Sequence, residues 1–276
     1  MPSLPNDITA IVLLALTEDI GDGDITAELI AANKTTRAKI ISRDQGVLCG
    51  QPWVNEILEQ IDPSVTIAWG ANDGDVIENN QVIAILEGSA RSILTAERTA
   101  LNFLQTLSAT ASISHYFSTL VKHTRVKLLD TRKTLPGLRS AQKYAVKTGG
   151  CHNHRMGLYD AFLIKENHIA ACGSIESAIS NARELHPPKA VEIEVRSLTE
   201  LEQAIVAGAD TIMLDNFTIS DIEEAVSING GRSKLEASGG IDEAKLVKIA
   251  ETGVDYISIG ALTKNCTAFD LSLLLE

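Results

Sequence analysis

The stretch A-V-E-I-E-V-R-S-L-T-E-L-E-Q-A-I-V-A-G-A-D-T-I-M-L-D at residues 190–215 decides the fold. It opens and closes with a short apolar run, and the segment between the two runs has a helical pattern from Leu198 to Ala207. A strand, a helix and a second strand in this order form a βα unit, which is typical of a parallel sheet.

The same alternation of apolar runs and helical segments continues on both sides of this stretch. Apolar runs of this type begin at residues 126, 161, 190, 211, 234 and 256, so that their starts are 35, 29, 21, 23 and 22 residues apart. These intervals leave room for helices, and helical patterns occur at 174–185, 221–227 and 242–251. We therefore predict a parallel sheet that is closed or nearly closed into a barrel, with one or two further strands within 139–155.

The part of the chain before residue 122 has a different sequence pattern. Residues 37–87 alternate short β-prone runs with turns such as Asp73-Gly74, which predicts a small α+β domain. Helix formers and small residues then predict one long helix from Ser92 to about Val121. Arg91 and Arg98 are seven positions apart, so they share a face of this helix and would point toward a ligand or a neighbouring subunit.

Positive charge is concentrated in the middle of the chain. Residues 122–165 contain ten Lys or Arg against two Asp, a local balance of +8 in a protein of formal charge −12, so the remainder carries −20. A solvated basic face explains any one lysine, but the cations are grouped beside Thr, Gly and Asn, which favours loops that bind a small anion. A pI near 5.0 and 4% aromatic residues argue against nucleic acid.

Length and composition exclude several classes of protein. A chain of 276 residues with 45% hydrophobic content can bury a substantial core. The longest apolar run, Ile11 to Leu16, is too short to span a membrane and no basic leader precedes it, so we expect a cytoplasmic protein that does not bind membranes. Four scattered cysteines favour reduced thiols over disulfides: Cys49, Cys151, Cys172 and Cys266.

Polar residues stand where the predicted strands end, which is where active sites of βα barrels are assembled. Asp130 leads into Arg132-Lys133, Lys165 into Glu166, Glu194 into Arg196 and Asp215 into Asn216. The last two strands end in Ser238-Gly239-Gly240 and Gly260-Ala261, small residues whose backbone N–H groups can approach a phosphate at a helix N-terminus.

The carboxylates Glu194 and Asp215 allow two interpretations. They could form salt bridges with Lys165 and Arg132, or they could hold Mg²⁺ through water and accept hydrogen bonds from sugar hydroxyls. The two-residue period of a strand places Glu192 on the same face as Glu194, and the sequence alone does not choose between them.

Two other sites are disfavoured, and a third stays open. Asp19, Asp22 and Asp24 lack the alternating ligands and distal Glu of a calcium loop, and helix capping explains them. C-H-N-H at 151–154, with Cys172, does not have a zinc spacing. A role of Lys165 as a Schiff-base nucleophile stays open, because five other cations compete with it for the role of anion clamp.

The chain as a whole resembles the quinolinate phosphoribosyltransferase family, the carboxylating nicotinate-nucleotide pyrophosphorylases. The resemblance rests on these motifs: E-D-I-G-D-G-D-I-T (18–26), E-R-T-A-L-N-F-L-Q (97–105), D-T-R-K-T-L-P-G-L-R (130–139), K-T-G-G-C-H-N-H-R-M-G-L (147–158), L-I-K-E-N-H (163–168), V-E-I-E-V (191–195), I-M-L-D-N-F (212–217), S-G-G-I (238–241) and G-V-D-Y-I-S-I-G-A-L-T (253–263).

The resemblance implies an enzyme of NAD synthesis, a pentosyltransferase. It would convert quinolinate and phosphoribosyl pyrophosphate, with Mg²⁺, into nicotinate mononucleotide, pyrophosphate and CO₂. It also implies an α/β fold in which an N-terminal α+β sandwich domain precedes an incomplete, open parallel α/β barrel. The domains would span 1–115, including the long connecting helix, and 116–276, with the extreme C-terminus packed back on the first domain.

The resemblance also assigns residue roles. Arg132, His154, Arg155 and Lys165 would bind the quinolinate carboxylates, and Arg98 would reach in from the partner subunit of a homodimer. Lys133 would face pyrophosphate, while Glu194 and Asp215 would serve catalysis, the ribose hydroxyls and the metal. The 5′-phosphate would lie on Ser238, Gly239, Gly260 and Ala261.

Three alternative functions remain open at this stage. A paralogous phosphoribosyltransferase of molybdenum-transport type would share most motifs, a Schiff-base barrel lyase would use Lys165, and a non-catalytic module would only bind anions.

Overall fold

The computed structural model describes residues 2–265 and 267–276; Cys266, one of the four predicted reduced thiols, lies outside them. Among the described residues, no helix is long and apolar enough to cross a bilayer. The cytoplasmic location stays a prediction. The elements up to residue 120 are α1 Ile8–Ile20, β1 Thr35–Ser42, β2 Gly46–Val47, α2 Gln51–Ile61, β3 Thr66–Trp69, β4 Val76–Ile77, β5 Val82–Ser89 and α3 Ala90–Leu120.

The remaining elements follow a βα repeat from residue 127 onward. They are β6 Lys127–Leu129, α4 Arg139–Thr148, β7 Phe162–Ile164, α5 Glu166–Cys172, α6 Ile175–Leu185, β8 Val191–Val195, α7 Leu198–Val206, β9 Thr211–Asp215, α8 Ile219–Asn229, β10 Lys234–Ser238, α9 Glu243–Glu251, β11 Tyr256–Ser258, α10 Ala261–Lys264 and β12 Leu271–Leu275.

The chain divides into two compact units. The first unit runs to Tyr116 and adds Thr134–Gly150 and Leu262–Glu276, and the second unit consists of Phe117–Lys133 and Cys151–Ala261. The division of the chain into domains at residue 115 stays a prediction.

The first unit is built on an antiparallel sheet with the strand order β12-β1-β5-β3. Its core centres on Trp53, which is fully buried and whose ring lies 6.4 Å from Phe103 and 5.4 Å from Tyr144, centroid to centroid. The buried face of α3 repeats every three to four residues, as a helix against a core requires: Ile93, Ala96, Ala100, Leu104, Leu107 and Ala111.

The second unit is a six-stranded parallel sheet with the order β6-β11-β10-β9-β8-β7. Helices α6 to α9 begin after Ser174, Ser197, Thr218 and Asp242, and each of these side chains accepts a hydrogen bond from the backbone N–H three residues on. All six predicted strands form where the sequence indicates them. The predicted fold class, an α+β domain followed by an open parallel α/β barrel, is confirmed.

The prediction of further strands within 139–155 is wrong. Residues Arg139–Thr148 form helix α4 in the first unit, because R-S-A-Q-K-Y-A-V-K-T consists mostly of residues that tolerate helix and has no β-branched run. Only His152 contributes a strand-like contact, a single parallel bridge to Leu129 in the second unit.

Candidate active site

The register of the second sheet places most of its polar side chains on one face. Glu194 lies opposite Met213, which lies opposite Glu236, and Asp215 lies opposite Ser238. Paired residues of a parallel ladder, and alternate residues along one strand, share a face. We call this the inner face, because the other face is apolar and helices α6 and α7 pack beside it; its polar members on β8, β9 and β10 are Glu192, Glu194, Thr211, Asp215, Lys234, Glu236 and Ser238.

The upper layer of the inner face lies at the carboxyl ends of the strands. Lys165 follows β7, and its Nζ lies 2.7 Å from Oε2 of Glu194, whose side chain is only 9% exposed. Asp215 lies 3.9 Å from Nε of Arg196, which also forms an ion pair with Glu166. The salt-bridge interpretation therefore holds for Glu194 with Lys165, whereas Asp215 pairs with Arg196.

The lower layer lies two residues deeper along the strands. Nε2 of His154 lies 2.8 Å from Oε2 of Glu192 and 3.6 Å from Oε2 of Glu236. Both glutamates are buried in the sheet. Burial, and then the neighbouring Glu192, raise the pKa of Glu236 to about 8, while His154 opposes the shift. We call His154, Glu192 and Glu236 the deep cluster.

Sequence analysis missed Glu236 altogether. The available signal was an acidic residue in the middle of K-L-E-A-S, where a strand buried on both faces would otherwise be apolar. Within the described part of the chain, the deep cluster is the one group of three side chains that could hold a metal ion.

A buried aspartate fixes the loop that carries His154 and Arg155. Asp130 is fully buried, and its carboxylate accepts hydrogen bonds from Nδ2 of Asn153 at 2.5 Å and from the backbone N–H of His154 at 2.9 Å. The guanidinium of Arg155 donates to the carbonyl of Ala161 at 3.0 Å. The loop therefore presents His154 and Arg155 in a defined orientation.

Arg132 and Arg155 come close enough for their charges to interact. Burial, and then the guanidinium of Arg132, lower the pKa of Arg155, while Glu192 and Asp160 oppose this. Like charges brought together in a half-buried position favour an anionic ligand. The structure thus brings together, in the second unit, four predicted substrate-binding cations: Arg132, His154, Arg155 and Lys165.

The predicted phosphate loop lies at the ends of β10 and β11. Gly239 has a φ of +99°, and a Cβ there would collide with the side chain of Asn216. A Cβ on Gly260 would lie 3.2 Å from Cδ of Lys133, so this lysine extends past the end of β11. Ser238 ends β10, and Ala261 begins α10 directly after Gly260.

Other predicted cations lie in the first unit. Arg98 is exposed on α3, whereas Arg91 on the same helix donates to the carbonyls of Ile30 and Glu28 and is held within its own chain. Arg139 and Lys147 lie on α4, with Lys143 almost completely buried between them. The cations of the +8 segment are therefore divided between the two units.

The disfavoured metal interpretations find no support in the geometry. The carboxylate of Asp24 accepts hydrogen bonds from the backbone of Thr26 and Ala27 and from the hydroxyl of Thr95, and these bonds lower its pKa. It acts as a local cap. Burial raises the pKa of the Cys151 thiol to about 12, which opposes the thiolate that zinc requires.

Comparisons with known proteins identify the family of this chain. Residues 24–108 match the family model of the quinolinate phosphoribosyl transferase N-terminal domain, and residues 110–274 match that of its C-terminal domain. A probable nicotinate-nucleotide pyrophosphorylase [carboxylating] of Bacillus subtilis is 40% identical over 257 residues, covering 93% of this chain and 89% of the relative. The chloroplastic nicotinate-nucleotide pyrophosphorylase [carboxylating] of Arabidopsis thaliana is 36% identical, covering 100% of this chain and 85% of the relative.

A solved structure of a similar protein has the same fold. The nicotinate-nucleotide pyrophosphorylase from Francisella tularensis superposes with a TM-score of 0.94 at 50% identity, covering 99% of this chain and 98% of that chain. The resemblance drawn from the motifs is confirmed: the chain belongs to the quinolinate phosphoribosyltransferase family.

Proposed function

We propose that this enzyme transfers the phosphoribosyl group of phosphoribosyl pyrophosphate to quinolinate, with loss of CO₂, to give nicotinate mononucleotide and pyrophosphate in de novo NAD synthesis. Its class is nicotinate-nucleotide diphosphorylase (carboxylating), a pentosyltransferase. The observation that supports this most strongly is the meeting of Arg132, His154, Arg155 and Lys165 beside carboxylates on the inner face of the second unit.

The positive charges of the site favour binding of quinolinate. The substrate carries two adjacent carboxylates on a pyridine ring, and planar guanidinium groups bind carboxylates through two parallel hydrogen bonds. Arg132 and Arg155 repel each other without a ligand, so a dianion relieves an unfavourable interaction as well as forming new ones. Nζ of Lys165 lies 2.7 Å from Oε2 of Glu194, and this pairing favours a role as a carboxylate clamp over that of a Schiff-base nucleophile.

Phosphoribosyl binding uses the neighbouring strand ends. The backbone at Ser238, Gly239, Gly260 and Ala261 would hold the 5′-phosphate, since small residues let N–H groups approach the anion. Lys133 extends past Gly260 and would neutralise the pyrophosphate as it leaves. Glu194 and Asp215 would bind the ribose hydroxyls and stabilise the positive charge that develops on the sugar.

The chemistry then needs no protein nucleophile. Pyrophosphate leaves the anomeric carbon, the pyridine nitrogen attacks it, and the ring nitrogen becomes quaternary. Loss of CO₂ leaves a carbanion next to that cationic nitrogen, which stabilises it, and the carbanion then takes a proton from water to give nicotinate mononucleotide. The protein contributes orientation and fixed charges that match the transition state better than the ground state.

We infer a Mg²⁺ requirement from the same residues. Glu194 and Asp215 end neighbouring strands and offer carboxylate oxygens, the ligands Mg²⁺ prefers, and Mg²⁺ usually keeps several waters. When bound, the ion supplies positive charge for the leaving diphosphate. We expect chelation by EDTA to abolish turnover and added Mg²⁺ to restore it; full turnover in EDTA would contradict the requirement.

The decisive experiment is a carbon dioxide assay. Quinolinate labelled at the 2-carboxylate should release CO₂ only when phosphoribosyl pyrophosphate is present, and nicotinate mononucleotide should form in equal amount. No release, with transfer to another acceptor, would favour the molybdenum-transport type of paralogue. A borohydride-trapped adduct on Lys165 would favour the lyase instead, and binding without turnover would leave only an anion-binding module.

We also propose a homodimer in which Arg98 of one subunit completes the site of the other. The support is its exposure on α3 and the family motif in which it lies. Arg98→Ala should inactivate the homodimer, and mixing it with an inactive Lys133→Ala chain should restore part of the activity, because one site of each mixed dimer is intact. Full activity in an isolated monomer would refute this arrangement.

A further inference from the structure

We propose that Asp130 is a positioning residue, which sets the distance between Arg132 and Arg155 so that the two cations bind one dicarboxylate together. Asp130 itself contacts no substrate in this arrangement. The role in binding rests on the proposed function, whereas the hold of Asp130 on the loop can be measured without any substrate. Asp130 carries none of the roles that the family resemblance implies.

The first support is the place of Asp130 in the second unit. Asp130 directly follows β6 and is fully buried, and Arg132 comes two residues later. Its carboxylate accepts hydrogen bonds from Nδ2 of Asn153 at 2.5 Å and from the backbone N–H of His154 at 2.9 Å. Arg155 is the next residue of that loop. One side chain therefore joins the two segments that carry the cations.

The second support is the backbone beside this junction. The N–H of Asp130 donates to the carbonyl of His152 at 3.0 Å, and the N–H of His152 donates to the carbonyl of Leu128 at 2.8 Å. These bonds form a short parallel bridge between the loop and β6. The carboxylate of Asp130 extends this pairing by two residues, to Asn153 and His154, and so reaches the part of the loop that faces substrate.

The third support is that each segment is ordered beyond the junction. The N–H of Lys133 donates to the hydroxyl of Thr131 at 3.1 Å, which closes the turn that contains Arg132. In the loop, Nη1 of Arg155 donates to the carbonyl of Ala161 at 3.0 Å. Because both segments have a defined conformation, the junction between them decides how far apart their guanidinium groups lie.

The fourth support is the repulsion that this junction opposes. After burial, the guanidinium of Arg132 is the next cause of the lowered pKa of Arg155, so the two positive charges disfavour each other. Groups that are held in place before a ligand arrives bind it with a smaller loss of conformational entropy. Asp130 should therefore raise the affinity for an anion with two adjacent carboxylates more than for an anion with one.

Calorimetric titration of the full chain with two ring acids tests this difference. Phthalate carries two adjacent carboxylates on a benzene ring and benzoate carries one, and neither has the pyridine nitrogen that reacts. Asp130→Leu keeps the branched shape of the side chain without any acceptor. We expect it to weaken phthalate binding about tenfold and benzoate binding much less. Loss of a negative charge would by itself strengthen anion binding, so a weaker affinity reports the lost hydrogen bonds.

The conservative variant Asp130→Asn supplies the matching rescue. Its amide oxygen can accept from the N–H of His154, and its amide group can donate to the side-chain oxygen of Asn153 once that side chain turns over. The ratio of phthalate to benzoate affinity should therefore stay close to that of the native protein. A fall of this ratio as large as that in Asp130→Leu would overturn the positioning role.

Amide hydrogen exchange of the ligand-free protein tests the junction alone. The backbone amide of His154 should exchange slowly in the native protein and in Asp130→Asn, and about tenfold faster or more in Asp130→Leu, since loss of its acceptor lets the loop open. An unchanged rate in Asp130→Leu would overturn the role. Asp210→Leu is a matched control, because Asp210 accepts from the backbone N–H of Val191 at 2.7 Å in the same unit but directly before β9. It should change neither the exchange rate nor the affinity ratio.

The outcomes separate this proposal from the proposed function. Equal affinity of the native protein for both acids, or an unchanged ratio in Asp130→Leu, overturns the positioning role even if the protein releases CO₂ from quinolinate. If Asp130→Leu does not fold, Asn153→Leu decides in its place, since it removes one of the two donors and keeps Asp130; an unchanged ratio there has the same meaning. A lowered ratio in a protein that releases no CO₂ refutes the proposed reaction and leaves the positioning role established.

Discussion

Two buried carboxylates, one in each compact unit, meet opposite surroundings. Asp73 of the first unit accepts hydrogen bonds from the backbone N–H groups of Gly50 and Gln51 at 3.0 and 3.1 Å and from the hydroxyl of Tyr144 at 2.9 Å. Burial raises the pKa of Asp73, and all three donors oppose that shift. It ties the start of α2 to the core.

Glu236 of the second unit has no comparable set of donors. Its neighbours are a second carboxylate, Glu192, the imidazole of His154 and the hydroxyl of Ser258. Burial and Glu192 raise its pKa to about 8, and His154 and Ser258 oppose the shift. The difference teaches how to interpret a buried acid. Where backbone donors satisfy it, the acid stabilises the fold; where it faces other ionisable groups, it sets the charge of the site.

The comparison would fail if the charged residues that follow the strands of the second unit were needed for folding. Lys133→Ala should lower kcat by about 100-fold or more, because a preorganised cation beside a leaving diphosphate is lost, and it should leave the unfolding temperature unchanged. Steady-state kinetics and thermal unfolding check this. The matched control is Lys248→Ala, an exposed lysine of α9 in the same unit, which should alter neither quantity. A large loss of stability in Lys133→Ala would make this lysine structural.

The opposite outcome is expected for Asp73. Asp73→Ala leaves two backbone N–H groups and the hydroxyl of Tyr144 without their acceptor in a buried place, which should lower the free energy of unfolding by about 3 kcal/mol. Urea denaturation measures this, and specific activity per folded molecule should stay near that of the native protein. A change below about 1 kcal/mol would show that water replaces the carboxylate, contrary to its burial.

The smallest expected effect is on the pH dependence of the free energy of unfolding, and it tests the Glu236 side of the comparison. Because the pKa of Glu236 is raised from 4.5 to about 8, the folded state binds the extra proton, and the stabilisation is complete below pH 4.5 and lost as pH rises toward 8. Glu236→Gln should therefore gain stability relative to the native protein by about 1–2 kcal/mol between these limits.

Denaturant unfolding at several pH values checks this. Glu251→Gln, at an exposed position of the same unit, should follow the native curve at every pH. A Glu236→Gln curve parallel to that of the native protein would mean that Glu236 is ionised like an ordinary surface glutamate.

The second sheet shows what local pattern can predict. Short apolar runs, helical spacers and Ser, Thr or Asp before each helix are properties of neighbouring residues, so the six strands and four capped helices were predictable. The polar residue at each strand end was visible for the same reason. The misassigned segment 139–155 lacked this regularity, because its helix α4 packs in the other unit.

The sequence by itself determined the parallel βα repeat, the small-residue loops and an anion site rich in cations, because each depends on the order of residues along a few turns of chain. Only the tertiary structure decided which charges meet. His154 comes from a loop and Glu192 and Glu236 from two different strands, yet both carboxylates lie within 3.6 Å of the imidazole Nε2, while Arg139, Lys143 and Lys147 belong to helix α4 of the first unit. Such contacts join residues tens of positions apart, where no local preference operates.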